Sequence, residues 1–103
     1  MSLDPRYAAI IREWADDLAP AVGRSAAQIR KNGLVVDDFP HEQLEIEFDD
    51  GSTARFKFAF FVESQVKKAV AVFTEHCGYF VLPIAGLKIR GERSGYYEGK
   101  LRL

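Results

Sequence analysis

The sequence predicts an α+β domain: an N-terminal helix, or helical pair, packed on an antiparallel five-stranded meander. Three observations predict it. Apolar residues recur at helical spacing in the first third of the chain, they alternate with polar residues from Leu44 onward, and short turns rich in Asp and Gly separate the alternating segments. A close alternative curls the same strands into a small SH3-like β-barrel with N-terminal helices.

Asp4-Pro5 reads as a helix start. An Asp oxygen accepts from the free first-turn amides, and Pro at the first helical position has no N–H to leave unpaired. Tyr7, Ile10, Ile11, Trp14 and Leu18 then form one stripe, with Arg6, Arg12, Glu13, Asp16 and Asp17 on the other side. This is an amphipathic helix over 5–18, and its Trp14 stripe would cover one sheet face. Pro20 and Gly23 interrupt it. Ser25 caps a second helix over 26–31, and Asn32-Gly33 stops that helix. Residues 34–42 form a connector in which Pro40 pushes Phe39 toward an extended conformation.

The first strand carries Leu44, Ile46 and Phe48 against Glu45 and Glu47. Asp49-Asp50-Gly51-Ser52 is a hairpin turn, because Gly51 supplies a positive φ. The return strand covers 53–62, with Phe56, Phe58 and Phe60 on one face and Arg55, Lys57 and Ala59 on the other. Further strands are expected over 69–73, 79–82 and 87–90. Sequential hairpins pair neighbours most readily, so a meander is the default. The whole chain, 1–103, reads as a single domain, with a helical part at 5–31, a β part at 43–90 and a tail at 91–103. Leu101 and Leu103 leave that tail open to three readings: a sixth edge strand, a docking arm or disorder.

Composition narrows the class. The chain has 103 residues, 48% hydrophobic and 28% charged, which is a globular balance. The single Cys77 excludes an intramolecular disulfide scaffold. No apolar run reaches the roughly 18 residues of a membrane helix, and the segment after Asp4 is too short for a signal peptide. A cytoplasmic, non-membrane protein is expected. A net charge of −1 gives no whole-domain attraction to nucleic acid or anionic lipid.

Chemistry is sparse. Glu75-His76-Cys77 places an acid, an imidazole and a thiol in one loop, and a thiolate beside an imidazolium is a better nucleophile. Adjacent residues on an extended chain point apart, however, so a solvated turn outweighs a catalytic one. His41 and Glu42 with His76 supply metal-ligand types but no metal-ligand spacing, so no metal and no cofactor are expected. The carboxylate pairs Asp16-Asp17, Asp37-Asp38 and Asp49-Asp50 read as solvated charge. No glycine pattern forms a phosphate loop.

Charge is segregated. Residues 37–50 hold seven acids and no Lys or Arg, whereas residues 88–102 hold five bases and two acids. Either the acidic strand, with Glu45, Glu47, Asp49 and Asp50, docks a basic partner, or the two segments neutralise each other across the sheet. Arg93, Tyr96 and Tyr97 combine cation and aromatic in the tail, which suits stacked bases, although no nucleic-acid motif accompanies them. The resulting expectation is a small non-enzymatic binding domain. It would act through the acidic strand face or a sheet edge, on a protein partner or a second copy of itself. The alternatives are a small enzyme at the His/Cys loop and a nucleic-acid accessory protein using the tail.

Overall fold

The structure, a computed structural model, describes residues 6–34, 38, 40–75 and 78–101. The chain forms two compact units, Met1–Pro40 and His41–Leu103. Its class is α+β, with helices in the first unit and strands in the second.

The first unit holds α1 (Arg6–Glu13), α2 (Ala15–Val22) and α3 (Ala26–Asn32). The single helix expected over 5–18 is instead broken at Trp14, whose φ of −101° and ψ of 13° leave the helical region. The break costs little hydrogen bonding. The Trp14 amide still donates to the Ile10 carbonyl at 2.9 Å, and its carbonyl accepts from Leu18 at 2.9 Å. The apolar stripe survives as well: Tyr7, Ile10, Ile11, Trp14 and Leu18 are all buried. α2 continues through Pro20 and ends at Gly23, which adopts a left-handed φ of 71°. The Ser25 cap is a capping box. Its hydroxyl accepts from the Gln28 amide at 3.1 Å, and its own amide donates to the Gln28 side chain at 3.2 Å. Asp4-Pro5 lies outside the described residues.

The second unit is a six-stranded antiparallel sheet, not the five-stranded meander expected. Its strands are β1 (Glu42–Glu47), β2 (Thr53–Ser64), β3 (Ala69–Thr74), β4 (Tyr79–Pro83), β5 (Lys88–Gly91) and β6 (Gly95–Glu98), in spatial order β4-β3-β2-β1-β5-β6. The first four strands do form a meander. β5 then pairs with β1 instead of β4, setting Arg90 and Lys88 opposite Glu45 and Glu47, and Ile89 opposite Ile46. Beside β4 the same cations would have faced uncharged residues, so opposite charge and apolar pairing favour the observed neighbour. The sixth strand lies in the C-terminal segment 91–103, for which an edge strand is one of the three readings above.

This order requires a curled sheet. β2 is 12 residues long, so drawn straight its ends lie about 36 Å apart. Pro83 and Lys88 lie two strands away from opposite ends of β2, on opposite sides of it. A flat sheet would separate them by about 40 Å. The link 84–87 between β4 and β5 spans at most about 18 Å. The sheet therefore bends across β2, whose first half pairs with β1 and second half with β3, the two ladders sharing only Ala59. It stays open, with β4 and β6 as edges, so the closed-barrel alternative is not realised.

A bulge supports the bend. Between Glu42↔Ala59 and Leu44↔Phe56, β2 carries one more residue than β1. The extra residue reverses the alternation, so Phe56, Phe58 and Phe60 do not share a face as expected. Phe56 packs on the inner core beside Leu44, Ile46, Val70, Val72 and Ile89. Phe58 is 56% exposed, and Phe60 is buried on the opposite face, stacked on Phe73 at 6.4 Å. Ala59 and Phe61 take the inner positions instead. Across the concave side, Phe56 meets Phe80 at 5.8 Å and Phe61 meets Tyr97 at 5.3 Å.

Candidate functional site

β-Alternation sends Gln43, Glu45 and Glu47 to the outer face of β1, and pairing lays Arg55 and Lys57 on one side and Lys88, Arg90 and Glu92 on the other. The acidic strand is thus interleaved with cations. Arg55 Nε donates to Glu45 Oε2 at 2.8 Å, and Lys88 Nζ lies 3.7 Å from Glu47 Oε2. Arg90 places its guanidinium over the Tyr96 ring, 5.9 Å from the centroid. Among the described residues no carboxylate pairs with Lys57 or Arg90.

An open groove of about 570 Å³ is floored by Gln43, Leu44 and Glu45, with Arg55, Phe56 and Lys57 on one bank and Arg90, Gly91 and Glu92 on the other. That size suits a small ligand or a few residues of a peptide. Of the expected acidic residues only Glu45 lines it, and its carboxylate is held by Arg55. Asp49 and Asp50 sit exposed at the β1–β2 turn. The Asp50 carboxylate accepts from the Ser52 hydroxyl at 2.6 Å and from its amide at 2.9 Å, and these bonds hold it below the usual aspartate range.

The tail residues separate. Tyr96 faces outward onto Arg90. Tyr97 faces inward against Phe61, and its hydroxyl donates to Glu63. Neighbouring strand residues alternate, so the two tyrosines form no common platform. Arg93 lies in the β5–β6 turn, with its amide bonded to Glu42.

Glu42 is the best-anchored carboxylate. It is 7% exposed, and it accepts from the Arg93 and Ser94 amides, both at 3.0 Å, and from the Ser94 hydroxyl. Burial alone raises its pKa. The Ser94 hydroxyl, the two amides and the Arg93 charge outweigh burial and hold the group below the ordinary glutamate value. Gly91 makes room for it, since a Cβ there would lie 2.0 Å from Glu42 Oε1. The sequence offered Glu42 only as a metal ligand. Its partners come from about fifty residues away, beyond the reach of spacing arguments. Among the described residues no three His, Cys, Asp or Glu side chains gather as a metal-binding group.

Glu75 is exposed at the end of β3, while His76 and Cys77 lie outside the described residues. No residue pattern marked the β4 edge, where Tyr79, Phe80 and Val81 are 39%, 40% and 50% exposed. No described helix is long and apolar enough to cross a membrane. No protein-family model, curated protein or solved structure matches the chain.

Proposed function

We propose that this chain is a small non-enzymatic binding module that engages a protein partner through the outer face of β2, β1 and β5. The observation that carries this reading is the groove over Gln43, in which, among the described residues, Lys57 and Arg90 lack carboxylate partners while Arg55 has one. Glu92 also lines the groove without an ion pair among the described residues, so the unmatched charge there is mixed but net positive, and the partner offers an acidic segment, not the basic one that the β1 composition suggested. Arg90 is pre-oriented by Tyr96, which reduces the ordering cost of a new ion pair. The β4 edge gives the module a second docking element.

The test is a fluorescence-anisotropy titration with a short Asp/Glu-rich peptide and a Lys-rich peptide of equal length, mapped by amide chemical shifts. The acidic peptide is expected to bind and to shift Gln43, Leu44 and Gly91. Lys57→Glu together with Arg90→Glu weakens it by about tenfold or more. Equal binding of the two peptides, or shifts confined to another face, refutes the reading.

A further inference from the structure

We infer that β4 is a self-association edge, at which a second copy of this chain adds its own β4 antiparallel to the first. β4 runs Tyr79-Phe80-Val81-Leu82-Pro83 and carries no charged side chain. Edge strands are ordinarily protected from one another by charge, bulges or coverage. The opposite edge, β6, has such protection in Glu98, with Lys100 just beyond it. β4 has none within the strand, and its central residue is half exposed.

The occupant follows from charge and symmetry. A partner strand bearing charge would find no counter-charge on β4, whereas a second copy meets a neutral strand with a neutral strand. A two-fold axis through Val81 sets Val81 opposite Val81, Phe80 opposite Leu82 and Tyr79 opposite Pro83. Phe80 and Leu82 already share a face, opposite Val72 and Val70 of β3, so every cross-strand pair is apolar on its own side. Pro83 lacks an N–H but stands at the strand end, leaving the central pairs intact.

Area sets the strength. Tyr79, Phe80 and Val81 expose together about 230 Å² per copy, taking about 150–200 Å² for each whole side chain. A stable interface needs roughly 800 Å² from each partner. The dimer is therefore weak and reversible, held mainly by main-chain hydrogen bonds.

Sedimentation velocity on the full chain, from about 10 µM to about 1 mM, tests this. A concentration-dependent monomer–dimer equilibrium is expected, with amide exchange in β4 slowing as the dimer forms. Val81→Lys sets like charges opposite each other across the axis and raises the dissociation constant by ~10-fold or more. Val81→Thr, which keeps the β-branched shape, changes it only a few-fold. Lys57→Glu/Arg90→Glu leaves it unchanged, so failure of the groove reading and failure of this one are distinguishable. A monomer at every concentration overturns the inference, as does a dimer indifferent to Val81→Lys. If Val81→Lys unfolds, the exchange measurement on the parent chain decides alone: unchanged β4 exchange across the range overturns the inference.

Discussion

Gly91→Ala and Glu42→Ala should each destabilise the protein by about the same amount, and the double variant by little more than either. A Cβ on Gly91 would lie 2.0 Å from Glu42 Oε1 and 3.1 Å from the Ser94 Cβ. Only the carboxylate can move aside, and moving it breaks its bonds to the Arg93 amide, the Ser94 amide and the Ser94 hydroxyl. A charge-assisted hydrogen bond contributes about 1.5–3 kcal/mol in a buried site. Water partly replaces these bonds, because Arg93 and Ser94 are exposed, so a loss of about 3 kcal/mol is expected for each single variant. Once the carboxylate has gone, only the close approach of the Ser94 Cβ at 3.1 Å remains, so most of the two losses does not add. Urea unfolding followed by circular dichroism gives all four free energies. Additive losses would refute the claim that both residues act through one contact. The pH dependence checks it independently. The folded pKa of Glu42 is depressed, so the unfolded state binds its proton first as pH falls. The contribution is complete above the ordinary glutamate value of about 4.5 and is lost as pH drops through the folded value. Glu42→Gln should flatten the stability profile in that acid window, and an unchanged profile would count against the assignment.

Other consequences follow from packing and exposure. Gly99→Ala should cost about 3 kcal/mol, read as a lowered Tm, because its Cβ would meet the Ile84 carbonyl oxygen at 2.0 Å and backbone cannot rotate away. Trp14→Ala should cost about 3–5 kcal/mol in urea, since Trp14 is only 2% exposed; a loss under about 1 kcal/mol would contradict its burial. Glu45→Ala should change stability by less than about 0.5 kcal/mol, because its partner Arg55 is 81% exposed at the side chain; a larger loss would mean that the ion pair is more than a surface contact.

What the sequence determined alone is local. Helical spacing from Tyr7 to Leu18, the Ser25 cap and the Gly51 turn follow from side-chain period and backbone freedom, and all reappear in the structure. The charge segregation between residues 37–50 and 88–102 was a non-local clue: it matches the pairing of Glu45 and Glu47 with Arg90 and Lys88. Tertiary structure decided the rest. A one-residue break at Trp14 keeps the apolar spacing, so periodicity cannot reveal it. The bulge beside Phe58 reverses the strand's faces, and nothing in an alternating run marks where the extra residue falls. The link 84–87 is too short to join β4 to β5 across a flat sheet, so closure bends β2, brings Tyr97 to Phe61 and Glu63, and leaves β4 at an edge. Side-chain period is written residue by residue, whereas strand order, bends and edges are properties of the closed chain.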